Sequence, residues 1–356
     1  MADSNKKNYH FKNLVFEGGG VKGIAYVGAL EVLDKEGILK NIKQVAGTSA
    51  GAMVAVLVGL GYTADELKDV LWNINFKDIL DSTNVWSDTS RLIKDYGWYK
   101  GDFFRDLMAR YIKDKTGNGE ATFKDIKKMK KAGKPFRDIY LIGTDLTTGY
   151  SKIFSATHTP NVKVADAARI SMSIPLIFAA VKGINGDDDI YVDGGLLDNY
   201  AIKIFDREDF VFDKDNIRRT EYYKKINEKL KPKDAPMKGI EDINEFVYNK
   251  ETLGFRLDAQ EDICLFLDPN ANPKKKEIKG IFTYIKALVT TLIDFQNNVH
   301  LHSDDWQRTV YIDTLGISSI DFKISDSKKQ KLVESGINYT EAYLEWYNND
   351  EEKANK

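Results

Sequence analysis

A serine held between two glycines is where this chain first concentrates its chemistry. Gly47-Thr48-Ser49-Ala50-Gly51 follows the apolar pair Val45-Ala46 and opens a second apolar run that continues to Leu60. The pattern predicts a strand, a sharp turn and a helix, with Ser49 at the apex. The flanking glycines let the backbone take a strained turn and let strand and helix approach closely. The hydroxyl would then stand clear of the sheet, with the positive end of the new helix aimed at the reacting centre. The same five residues also fit a plain strand–helix connection, so their neighbours must decide.

A nucleophilic serine needs a base and donors for an oxyanion. Upstream, the strand signal Asn13-Leu14-Val15-Phe16 breaks into Glu17-Gly18-Gly19-Gly20-Val21-Lys22-Gly23, and a helix follows with Ile24, Val27, Leu30 and Leu33 at helical spacing. Gly18-x-Gly20-x-x-Gly23 matches a dinucleotide fingerprint, but that reading wants an acidic residue about 20 residues on to hold the ribose. None occurs between Gly37 and Ala64. A phosphate loop would need Ser or Thr after Lys22, where Gly23 stands. The remaining chemical reading is a cluster of backbone N–H groups turned to one point, an oxyanion hole. For the base, His10, His158, His300 and His302 are the four histidines, and none sits in a loop with catalytic character. A triad through His300 or His302 stays open. Ile190-Tyr191-Val192-Asp193-Gly194-Gly195 reads as a strand ending in an aspartate, the position where α/β sheets present groups to ligands.

The glycine-rich Gly18–Gly23 run, Gly47-Thr48-Ser49-Ala50-Gly51 and Asp193-Gly194-Gly195, in this order and spacing, resemble the patatin-like phospholipase family. The segment Ala167–Phe178, with Pro175, resembles a further family block. The resemblance covers Leu14 to Ile204. It implies Ser49 as nucleophile and Asp193 as its partner in a dyad. It also implies an oxyanion hole from Gly18, Gly19 and Gly20, with Ala50 as a further donor and Lys22 as a substrate contact. One departure is Asn199-Tyr200-Ala201, where members often carry proline in place of the alanine. The implied fold is a three-layer α/β/α sandwich around a mainly parallel sheet, with appended helices. The implied activity is hydrolysis of fatty-acyl esters of phospholipids or lysophospholipids through an acyl-enzyme. A silent lipid- or protein-binding module and a Ser-His-Asp esterase on small esters are the alternatives.

The rest of the sequence bounds this reading. With 356 residues, 42% hydrophobic, there is material for one large domain with appendages. A formal net charge of −2 gives no general attraction to nucleic acid. No metal-ligand spacing appears, and the chemistry needs no cofactor. The partners expected are a phospholipid surface, an acyl-ester substrate and a protein activator of unspecified kind. No apolar signal-peptide core is visible before Phe11, and no run reaches the ~18 apolar residues of a membrane span. The expected location is therefore cytoplasmic or peripheral to a membrane. Thr63-Ala64-Asp65-Glu66 predicts a capping box, stapled by Tyr62 and Leu67. Aromatics crowd Trp72 to Phe104, including Phe76, Trp86 and Tyr96, as a satellite core, a lid or a surface that enters the lipid interface. Six lysines between Lys124 and Lys134 read as a solvated helix face, with anionic headgroups as the other reading. The expected organisation is an arm over 1–12, a catalytic core over 13–205 and a charged insertion or cover over 206–258. Strand and helices over 259–347 complete the domain, followed by a tail over 348–356. Cys264 lies in a predicted strand, Ile263–Leu267, and Ile281–His300 in a predicted helix.

Overall fold

The computed structural model describes residues 9–74, 78, 92, 94–184, 186, 188–230, 244–259, 277–280, 283–284, 287–288, 291 and 304–349. The predicted strand Ile263–Leu267 with Cys264, most of the predicted helix Ile281–His300, His300 and His302, Phe76 and Trp86 lie outside the described residues.

One eight-stranded sheet organises the molecule. Its strands are β1 (Asn13–Phe16), β2 (Gln44–Thr48), β3 (Asp138–Asp145), β4 (Tyr150–Ser155), β5 (Val181–Lys182), β6 (Ile190–Asp193), β7 (Thr252–Asp258) and β8 (Thr309–Asp313). They run in the order β8-β7-β1-β2-β3-β6-β5, with β4 on the other edge of β3. The stretch from β8 to β3 is parallel, whereas β4, β6 and β5 are antiparallel to their neighbours. β1, β2 and β7 are buried along their whole length, as parallel strands covered on both faces must be.

The helices are α1 (Ala25–Lys35), α2 (Ala50–Gly59), α3 (Ala64–Asn73), α4 (Asp102–Thr116), α5 (Phe123–Lys131), α6 (Val164–Ser171), α7 (Glu221–Leu230) and α8 (Asp326–Asn349). α3 starts at the expected capping box: Glu66 N–H donates to Thr63 Oγ1 at 3.2 Å, and Thr63 N–H donates to Glu66 Oε2 at 2.8 Å. α8 crosses α1 at backbone contact distance. A β-carbon on Gly28 would lie 2.0 Å from the Val333 carbonyl, and one on Gly336 would lie 2.0 Å from that of Ala25. No described helix is long and apolar enough to cross a membrane.

The two faces of the sheet are covered differently. Leu14, Phe16, Val45, Leu141, Leu253 and Phe255 join the main core beneath the helices. On the opposite face Val15, Ala46 and Tyr140 pack against Tyr200, Ile202 and Phe205, from the short helical segment that follows β6. Phe210, from the predicted charged cover, packs on this face beside Tyr140 and Phe205, and another part of that cover is sheet. Thr252–Asp258 lies between β1 and β8, not over them. Its Arg256 and Asp258 are buried and paired with each other at 2.8 Å. The lysine-rich helix α5 leads into the start of β3, where Lys130 bridges Asp138 at 2.8 Å. That is the sheet end opposite Ser49.

Candidate active site

The pairing register of β3 brings Ser49 and Asp193 together. Residues Asp138–Ile142 of β3 pair with β2, and Gly143–Asp145 pair with β6. Both partners lie on the edge away from β4, which pairs with Tyr140–Asp145. β2 runs parallel to β3 and ends at Thr48 opposite Ile142. β6 runs antiparallel and ends at Asp193 opposite Gly143. The two strands thus meet end to end along one edge, and the residues at their meeting point are Ser49 and Asp193.

Ser49 occupies the strained apex that its sequence predicts, with φ 53° and ψ −124°. Holding a non-glycine residue there costs about 1–3 kcal/mol. The turn closes because its glycines touch: a β-carbon on Gly47 would sit 2.1 Å from the Gly51 carbonyl oxygen. Ser49 N–H donates to Ser171 Oγ at 2.9 Å, and that hydroxyl donates to the Ile142 carbonyl at 2.6 Å. Ser171, the last residue of α6, therefore ties the turn to β3. Sequence reasoning gave Ser171 no role, since nothing local marks a serine that bonds across 122 residues.

Ser49 Oγ donates to Asp193 Oδ2 at 2.8 Å. The other oxygen, Oδ1, accepts the Gly195 N–H at 2.7 Å. The Asp193 backbone is fixed as well, with its N–H on the Ser173 carbonyl at 2.9 Å and its carbonyl accepting Thr144 Oγ1 at 3.0 Å. Only 3% of Asp193 is exposed. Burial pushes its carboxyl up to about 7, and the bonds from Gly195 and Ser49 oppose that shift without cancelling it. Such a carboxylate is a far better proton acceptor than one near ~4. His10 bonds the Lys250 carbonyl and Tyr347, and His158 bonds Ser155. Among the described residues Ser49 Oγ is paired with the aspartate alone.

The glycine-rich loop passes beside the serine. A β-carbon on Gly18 would lie 3.0 Å from Ser49 Cβ, and one on Gly23 would lie 3.1 Å from Ala50 Cβ. The Gly18 N–H is already bonded to the Asn199 carbonyl at 3.0 Å, so the structure withdraws it from the expected donor set. Gly19, Gly20 and Ala50 have no backbone N–H acceptor among the described residues. Gly20 has φ 55°, and Val21 N–H is held by the Ser319 carbonyl at 3.0 Å. Lys22 reaches the Leu257 carbonyl with its Nζ at 3.5 Å.

Beside Ser49 and Gly20 opens an apolar cavity lined by Met53, Phe104, Met172, Ile174, Phe178 and Phe322, among others. Phe104, from the aromatic stretch, is buried in the main core rather than a satellite one and lines this cavity too, while Tyr96 is 49% exposed. A poised hydroxyl, a high-pKa carboxylate, unbonded amides and a small apolar pocket together suit acyl transfer from a substrate with a hydrocarbon chain.

The family model described as Patatin-like phospholipase matches residues 14–206. The chain is 28% identical over 342 residues to an uncharacterized protein, YqhO, of Bacillus subtilis (strain 168), covering 93% of this chain and 97% of that one. It is 25% identical over 198 residues to a protein of Invertebrate iridescent virus 6 named "Probable lipid hydrolase 463L", covering 56% and 64% of the two chains. Among solved structures it is similar in fold to VipD from Legionella pneumophila, with a TM-score of 0.58 at 16% identity over 94% of this chain and 67% of that one.

Proposed function

This chain belongs to the patatin-like phospholipase family, and from that premise we propose that it hydrolyses fatty-acyl esters of phospholipids or lysophospholipids with a Ser49–Asp193 dyad. The observation that carries the reading is the 2.8 Å bond from Ser49 Oγ to a buried carboxylate, made at a strained turn beside the glycine-rich loop. Asp193 Oδ2 takes the hydroxyl proton as Ser49 Oγ bonds to the ester carbonyl carbon. The oxyanion that forms is stabilised by the N–H groups of Gly19, Gly20 and Ala50, which spend no bond elsewhere among the described residues. The proton passes from Asp193 to the departing alcohol, leaving an acyl-serine. Water then attacks that ester, with Asp193 again taking the proton, and the fatty acid leaves. The acyl chain would lie in the cavity between Met53, Phe104, Phe178 and Phe322.

Fatty-acid release from mixed phospholipid and lysophospholipid vesicles tests the reading, with and without cell extract to supply an activator. Wild type is expected to release fatty acid, Ser49→Ala to release none above the vesicle blank, and a His300→Ala/His302→Ala double variant to match wild type. Loss of release in the histidine variant would replace the dyad with a triad. Absence of release by wild type under every condition would sink the lipid-hydrolase reading.

A further inference from the structure

The buried carboxylate of Glu17 is not used by the chemistry above, yet it joins β7 to the segment that follows Asp193, beside the glycine-rich loop. It follows β1 directly and precedes the glycine-rich loop, with 1% of its surface exposed. Its Oε2 accepts the Leu257 N–H of β7 at 2.6 Å. Its Oε1 accepts Asn199 Nδ2 at 3.3 Å, from the segment that follows Asp193. The same Nδ2 reaches the Gly18 carbonyl at 3.2 Å, and the Asn199 carbonyl returns a bond to Gly18 N–H. Nearby, Thr48 Oγ1 holds the Asp198 carbonyl at 3.0 Å, which ties the serine turn to the same segment.

We propose that Glu17 is a positioning residue for this reaction, and that only its ionised form holds the glycine-rich loop and the Asn199 segment in register with Ser49. Both oxygens of Glu17 serve as acceptors here, as a carboxylate's do; a proton on either one removes the charge and leaves a weaker acceptor for its N–H. The charges around it come from every side. Arg256 Nε is 3.9 Å away, and Asp258 and Lys22 lie within electrostatic range. Tyr26 O–H donates to the Glu17 carbonyl at 2.7 Å, and Tyr311 of β8 feels the same field. Burial outweighs Arg256 and pushes the Glu17 carboxyl up to about 7, beside an Asp193 also pushed to about 7. Two carboxyls that must both be ionised, titrating in the same range, give an acid limb steeper than one proton.

The proposal rests on Ser49 being the nucleophile, and its test separates the two ideas. Phosphonylation of Ser49 by a fluorophosphonate probe needs an activated hydroxyl and a formed oxyanion hole but no particular lipid. Its rate is measured from pH 5 to 9, alongside ester turnover, for wild type and Glu17→Gln, with Ser49→Ala as the blank. For wild type, the logarithm of the rate should fall below pH 7 with a slope approaching two. For Glu17→Gln the slope should drop to one, with kcat roughly tenfold lower at pH 8, KM within about twofold and the melting temperature within about 3 °C. Equal rates and equal slopes in the two proteins would overturn the proposal, as would failure of wild type to label. Labelling without lipid hydrolysis would sink the lipid reading alone, and the slopes would still decide the role of Glu17.

Discussion

Two buried arginine–carboxylate clusters lie on neighbouring strands, built from the same residue types and satisfied in opposite ways. At the start of β8, Arg308 donates to both oxygens of Asp206 at 2.6 Å each and to Asp305 Oδ1 at 2.6 Å, and Tyr223 O–H also donates to Asp206. On β7, Arg256 pairs closely with Asp258 but comes no nearer than 3.9 Å to Glu17, whose oxygens face amides instead. The first cluster is a staple that fixes α7 and the second sheet face to the strands. The second leaves a carboxyl titrating near neutrality against the glycine-rich loop. Burial and composition are alike in both, so the geometry of the forks decides which holds structure and which holds a site.

Breaking the staple should show the largest stability effect. Arg308→Met leaves Asp206 and Asp305 buried without their shared cation, and should cost about 3–5 kcal/mol in denaturant unfolding. Arg256→Met should cost less, roughly 1–3 kcal/mol at pH 6, because Glu17 already accepts a proton readily. Its cost should grow towards pH 9, where Glu17 would have to ionise without the guanidinium. Equal, pH-independent losses for the two arginines would erase the distinction between the clusters.

Asp193 shows what burial of a reactive group does to stability. Asp193 binds its proton more tightly when folded, with the carboxyl moved from 3.8 to about 7 by burial. Between those values the folded state holds more protons than the unfolded one, so this group's contribution to stability falls as pH rises from about 4 to about 7. Asp193→Asn removes that charge. It should stabilise the protein by roughly 1–3 kcal/mol at pH 8, the gain shrinking to nothing near pH 4, as calorimetry across pH would show. A destabilised variant at pH 8 would mean that Asp193 is held by its bonds more strongly than burial penalises it.

The elements that carry the site were legible where their signals are local. The serine turn, the strand before the glycine-rich loop and the Thr63 capping box each declare themselves within a few residues. The contacts that complete the site are not local. Ser171 reaches Ser49 across 122 residues, and Leu257 reaches Glu17 across 240. The family resemblance included Gly18 among the oxyanion donors, but its N–H turns to Asn199. β7 was included in the charged cover although Leu253, Phe255 and Leu257 alternate along it, and its Arg256 and Asp258 are buried as a pair. Phe322 and Ser319 come from beyond residue 206 and still line the cavity and clamp the glycine-rich loop, with no local signal to announce them.

The dyad itself is tested most directly by a double-mutant cycle on ester turnover with Ser49→Ala, Asp193→Asn and the pair combined. If the two residues act as one unit, each single substitution should lower kcat/KM by at least ~10³-fold, and the double should be no slower than the worse single. Multiplying losses, or an Asp193→Asn variant that keeps most of its activity, would contradict the dyad and return the search for a base to the rest of the chain.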